Sequence, residues 1–326
     1  MKDSNKYALC FTTQNWFILH SKDIASGSAV NEIDKKAIND CHIYMIHTRP
    51  LVSFVENSVS YDRRKEYLSG KVRATLLNGE CIESNFSLKF KLKDNAISVK
   101  SLPPYREITT HDSKGDVVRV LPAHLLCGTM SNNHLVDALL NLKVEYIGQA
   151  FGNGNKNSLD RLKNHSTFQK ILSEIPYHNP NLEIFVSIMN FQEPILYNIP
   201  EIDDCDDKNE IEKLWKIIDN PPFKKEQINL IEAGLIRYFQ PHFNIKLKMR
   251  FPSAKQQMLS KLTKLGITGL IIELPKSEMG FKIYSDTVLA QYSHFAMYDL
   301  TTNKTGFFNH PIKFCNPDDL IRMTKD

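Results

Sequence analysis

The sequence predicts an α+β protein, on three observations. The first third is dense in aromatic and β-branched residues and carries a hairpin signal at Asn78-Gly79. The middle third interleaves helical apolar spacing with short strands. From about Phe251 the chain reads as a helix, an apolar strand and a β-like tail. These shifts predict a β-rich accessory domain over residues 1–125, a middle domain over 126–250 and a small α+β extension over 251–326.

Each element has a local reason. Residues 8–19 (ALCFTTQNWFIL) and 42–55 (CHIYMIHTRPLVSFV) read as strands. Asn78-Gly79 predicts a type I′ turn, because both residues tolerate positive φ. Over 86–92, Phe86, Leu88, Phe90 and Leu92 alternate inward, leaving Ser87, Lys89 and Lys91 outside, on a solvated face or along a phosphate backbone. The stretch 101–115, with Pro-Pro and Lys-Gly, reads as a connector. Helices are expected over 134–142, 158–172 and 225–239, the second capped by Ser158 and the third stopped by Pro241. Strands are expected over 144–151 and 182–188. A helix over 254–265 and the strand GLIIEL follow.

Composition excludes several classes. Of 326 residues, 42% are hydrophobic and 24% charged, which rules out a disordered chain or a collagen. Lys plus Arg is 41 against 37 Asp plus Glu, so the net charge of +4 permits an anionic partner without announcing one. The six cysteines, at 10, 41, 81, 127, 205 and 315, form no C-x-x-C pair and read as buried free thiols. With no leader-like N-terminus and no long apolar window, the expectation is a cytoplasmic protein that does not engage a membrane. The acidic run Asp203 to Glu212 lacks the glycine and terminal glutamate of an EF-hand and reads as a solvated loop.

Two helices break their own pattern. Glu232 falls in the middle of the stripe made by Ile228, Ile231, Leu235, Ile236 and Phe239. A carboxylate held there costs several kcal/mol unless paired or bound to a metal. The alternatives are an ion pair with a distant Arg or Lys, or a stripe edge that reaches solvent. On the helix before it, Arg161 and His165 share a face at i, i+4 that leans toward the apolar side with Phe168 and Leu172. A guanidinium suits a phosphate, and one carboxylate with phosphate oxygens is a common Mg²⁺ set. Together they point to phosphodiester chemistry.

With those residues in place, the stretch from about 140 to 245 resembles the catalytic domain of GIY-YIG nucleases. Tyr146-Ile147-Gly148 stands for the second tripeptide, Arg161 and His165 for the helix that follows, and Glu232 and Asn244 for the metal-binding helix and its closing asparagine. The resemblance implies a central three-stranded antiparallel sheet flanked by helices. The family's first tyrosine belongs to a strand ahead of Tyr146. No tyrosine stands between Tyr105 and Tyr146, so that strand is either further upstream or replaced, and Tyr105 and residues 118–128 are the places to search.

The resemblance implies a divalent-metal-dependent endonuclease, acting on DNA in preference to RNA, with one Mg²⁺ or Mn²⁺ per site on Glu232. It assigns Arg161 to a non-bridging phosphate oxygen and Tyr146 to orienting or deprotonating the attacking water. His165 shares the proton work and Asn244 orders the site. Lys246, Lys248 and Arg250, at two-residue spacing, would line nucleic acid or simply form a solvated edge. Analogy to restriction-type members extends this to phage defence, and cutting both strands would favour a homodimer. The competing expectations are a non-catalytic nucleic-acid-binding adaptor on the same scaffold and an interaction scaffold in which Arg161 and Glu232 bond to each other.

Overall fold

Strand-forming runs at both ends of the chain meet in one sheet. The structure is a computed structural model, and it describes residues 7–26, 37–93, 95–149, 162, 165–198, 221–245, 262–263, 267–276 and 280–300. In chain order the described elements begin β1 (Tyr7–His20), α1 (Ser21–Ser26), β2 (Ile43–Pro50), β3 (Val52–Phe54), β4 (Ser60–Asp62), β5 (Tyr67–Thr75) and β6 (Cys81–Lys89). There follow β7 (Ser98–Ser101), β8 (Glu107–His111), β9 (Val117–Pro122), a 3-10 helix (Ala123–Thr129), α2 (Asn133–Leu140), β10 (Asn141–Gln149) and α3 (Ser166–His178). The last are β11 (Leu182–Phe191), β12 (Ile195–Asn198), α4 (Pro221–Phe239), β13 (Ile267–Leu274), β14 (Lys282–Tyr284) and β15 (His294–Asp299).

The chain forms two compact units. One comprises Met1–His47, Lys143–Ile171 and Phe185–Asp326; the other comprises Thr48–Leu142 and Leu172–Ile184. This division does not follow serial boundaries at 125 and 250, because the strands that pair are far apart in sequence.

The first unit is built on an eight-stranded mixed sheet, ordered β14-β10-β2-β11-β1-β13-β15, with β12 also on β1. The expected three-stranded antiparallel sheet is therefore corrected. A break in register between Thr13 and Asn15 divides β1. Its second half pairs antiparallel with β11, and its first half lies between β12, antiparallel, and β13, parallel. Leu9 and Phe11 are fully buried and need apolar neighbours that a three-stranded sheet would not supply. The neighbours come from the C-terminal strands (Leu270, Ile272, Ala296, Tyr298) and from α4. Gly234 lets that helix approach closely: a Cβ there would collide with Ile272 Cδ1, and Tyr298 Oη donates to the Gly234 carbonyl at 2.6 Å.

The second unit carries the sheet β3-β5-β4, with β6 also on β5, and the sheet β7-β8-β9, around a core that includes Phe54, Val72, Phe86, Ile108 and Leu139. The alternation over 86–92 is as the periodicity predicts, with Lys89 and Lys91 exposed. Gly79 has φ +85, but Asn78 is not in the left-handed region, so the hairpin lacks the two positive φ values of a type I′ turn. The presumed connector 101–115 holds a strand, β8, whose β-branched residues pair with β7 and β9 between the two turns. Arg49 anchors this unit from within. It bonds Glu183 at 2.7 Å, the Leu139 carbonyl at 3.0 Å and the His124 carbonyl at 3.2 Å. Of the thiols described, Cys10 and Cys41 are buried, Cys127 is intermediate and Cys81 is exposed, the last against expectation.

Candidate active site

The site is assembled from four segments of the first unit. β2, buried along its length, delivers Tyr44, which is 2% exposed. β10, its neighbour in the sheet, delivers the half-buried Tyr146. The two rings are 5.9 Å apart, centroid to centroid. His165 lies 6.1 Å from Tyr44 and 6.0 Å from Tyr146, so the three rings form a nearly equilateral triangle. Gly148 makes room for it. A Cβ at that position would meet Tyr44 Oη at 2.5 Å and Tyr146 Cε1 at 2.8 Å. The glycine of the Tyr-Ile-Gly tripeptide is thus required by the packing of the tyrosines themselves.

His165 stands at the start of α3, not within it. Its N–H donates to the Leu162 carbonyl at 3.0 Å, and its own carbonyl accepts from Gln169 at 3.0 Å, the bond of a helix-capping residue. The predicted helix 158–172 is interrupted at His165, which is not helical. Arg161, Ser158, the acidic run 203–212 and the basic triplet Lys246, Lys248 and Arg250 lie outside the described residues.

Glu232 is delivered by α4. Ile228, Ile231, Leu235, Ile236 and Phe239 around it are all buried, and Glu232 is half-buried. Its Oε2 accepts a hydrogen bond from Gln149 Nε2 at 3.0 Å. Among the described residues it makes no ion pair with Lys or Arg. Burial pushes its carboxyl up to about 7, against the opposing pull of hydrogen bonds from the Gln149 backbone and side chain. Tyr146 is held above the ordinary phenol range, first by burial and then by the charge of Glu232. The neighbouring Tyr44 and Thr167 side chains pull it partly back. The carboxylate and the phenol therefore share one electrostatic environment.

Asn244 fixes the strand that carries Tyr146. Its Nδ2 donates to the Ile147 carbonyl and its Oδ1 accepts from the Ile147 N–H, both at 2.8 Å. The turn after Pro241 adds a bond from Phe243 N–H to the Glu145 carbonyl at 3.0 Å. Tyr238 is engaged with His294, 3.3 Å from Oη to Nδ1.

The residue that sequence reading missed is Tyr44. Tyr105 belongs to the second unit and packs on that unit's core; residues 118–128 belong there too. The run that carries Tyr44, His42-Ile43-Tyr44, lies in the strand expected over 42–55. Residues 48–142 stand between it and Tyr146.

No helix among the described residues is long and apolar enough to cross a membrane. No family model, no curated protein and no solved structure matches this chain.

Proposed function

We propose that the chain is a divalent-metal-dependent endonuclease of the GIY-YIG type, hydrolysing phosphodiester bonds in DNA in preference to RNA. The observation that carries the reading is the packing of the Tyr44, Tyr146 and His165 rings at strand β10, whose Gln149 bonds the half-buried carboxylate of Glu232. Three proton-carrying side chains and an acid in one place are more than core packing needs. The adaptor alternative rested on a missing partner tyrosine, and we assign that place to Tyr44.

Glu232 fits a divalent cation. It is a carboxylate in an apolar setting with no cationic partner among the described residues, and its charge is disfavoured as it stands. Glu232 would hold one Mg²⁺ or Mn²⁺, which when bound supplies Lewis-acid stabilisation of charge on the phosphate. Burial and the charge of Glu232 keep Tyr146 a neutral phenol at neutral pH, so it orients the attacking water through its hydroxyl. Tyr44, whose ring packs against that of Tyr146, is assigned to holding the Tyr146 ring in place. His165 is the side-chain type suited to take the water's proton near neutrality. Arg161 is assigned to a non-bridging phosphate oxygen, and Lys246, Lys248 and Arg250 to the backbone beyond it.

The test is cleavage of supercoiled plasmid in Mg²⁺ or Mn²⁺. Nicked or linear product is expected, reduced about 10²-fold or more in Glu232→Ala and Tyr44→Phe, the usual scale for one catalytic group. Absence of cleavage on duplex DNA, single-stranded DNA and RNA with either metal overturns the proposal.

A further inference from the structure

The Gln149 amide is shared between two oxygens of one helix. Its Nε2 donates to Glu232 Oε2 at 3.0 Å and to Asn229 Oδ1 at 2.9 Å. Asn229 stands three residues before Glu232, so both side chains leave α4 on the same face. From 226 to 239, Asn229 is the exposed position on a helix otherwise buried or half-buried. It stands at the exposed edge of that face, beside the half-buried Glu232.

A satisfied surface glutamine would account for the bonds alone. It does not account for their place. A donor held between a carboxylate oxygen and an amide oxygen marks a point where positive charge is already favoured. Carboxamide oxygens are hard ligands of the kind Mg²⁺ and Mn²⁺ take. The Gln149 amide can also turn over and present its own oxygen to the same point.

We propose that Asn229 Oδ1 is a second protein ligand of the divalent cation at Glu232, with Gln149 turning to supply a third oxygen. The proposal rests on the nuclease reading of the site. One carboxylate and two neutral amides leave the cation with a net charge of about +1, and with open positions for a phosphate oxygen and water. Such a set fits Lewis-acid work better than tight structural binding.

The experiment is titration of the full-length protein with Mn²⁺ alone, following free Mn²⁺ by electron paramagnetic resonance. Wild type is expected to bind and Glu232→Gln to lose binding. Asn229→Ala should weaken Kd about tenfold or more, and Gln149→Met similarly, the scale of removing one supporting group at a metal site. Asn229→Asp should tighten it, an opposite change that damage to the fold does not imitate. If Glu232→Gln abolishes binding while both Asn229 variants stay within about twofold of wild type, the proposal falls and the nuclease reading stands. If wild type takes up no Mn²⁺, both fall.

Discussion

Gly148 and Asn244 act on the same two-residue stretch of β10 from different directions. Gly148 gives Tyr44 its space, and Asn244 satisfies both peptide groups of Ile147 as another strand would. Gly148→Ala should push the Tyr44 ring off Tyr146, since no side-chain carbon fits 2.5 Å from a phenol oxygen. The expected cost is about 1–3 kcal/mol from overpacking, with plasmid cleavage falling tenfold or more. A variant that keeps wild-type activity and melting temperature would contradict this packing. Asn244→Leu leaves a buried N–H and C=O without partners. Urea denaturation should register a loss of roughly 2–6 kcal/mol, from about 1–3 for each of the two unmet groups. Asn244→Asp keeps the acceptor, loses the donor and should fall between.

Strand β2 shows how one element carries both a site residue and a stability device. Three residues after Tyr44, His47 is fully buried, with Nε2 2.7 Å from Ser187 Oγ on β11. Burial pushes its pKa from 6.5 down to about 3. The folded state therefore holds a neutral imidazole, while the unfolded chain takes up a proton below about pH 6.5. Stability contributed by His47 is full above that pH and is lost as pH falls toward 3. The whole loss is at most about 4–5 kcal/mol, at 1.36 per pKa unit. His47→Asn should be less stable at pH 8 yet flatter between pH 6.5 and 4, as measured by denaturant unfolding at each pH. An identical acid limb in both proteins would exclude His47 as its source. One strand end further, Arg49 and Glu183 form a buried pair, with side chains 1% and 7% exposed. Arg49→Met should cost about 3–5 kcal/mol, because it strands the carboxylate, while Arg49→Met with Glu183→Leu should recover most of it in a thermal melt.

What the sequence made legible was whatever a short window decides. The alternation over 86–92, the turn at Asn78-Gly79 and the acid inside the apolar face of α4 all follow from neighbours within a few positions. The start of α3 at Ser166 was missed because capping by His165 depends on backbone conformation, not on apolar period. The sheet was missed because its pairings span the chain: Leu9 sits opposite Leu270, and Ile271 opposite Met297. Tyr44 was missed for the same reason, since its partner strand comes after the whole of residues 48–142. The same long-range pairing yields a prediction that separates a dispensable C-terminal extension from an integral one. Ending the chain at residue 250 removes β13, β14 and β15, and with them Ile267, Leu270, Ile272, Leu274, Ala296 and Tyr298. At about 1.5–3 kcal/mol for each large apolar side chain, roughly 10 kcal/mol of burial goes, as much as a typical protein's entire net stability. It also bares one edge of β1 and the apolar side of α4, both poor surfaces to leave in water. The 1–250 fragment should therefore be insoluble, or soluble without a cooperative melt by circular dichroism. A fragment that melts cooperatively and still nicks plasmid would mean that β13–β15 are an appendage and that the sheet's core ends at β1.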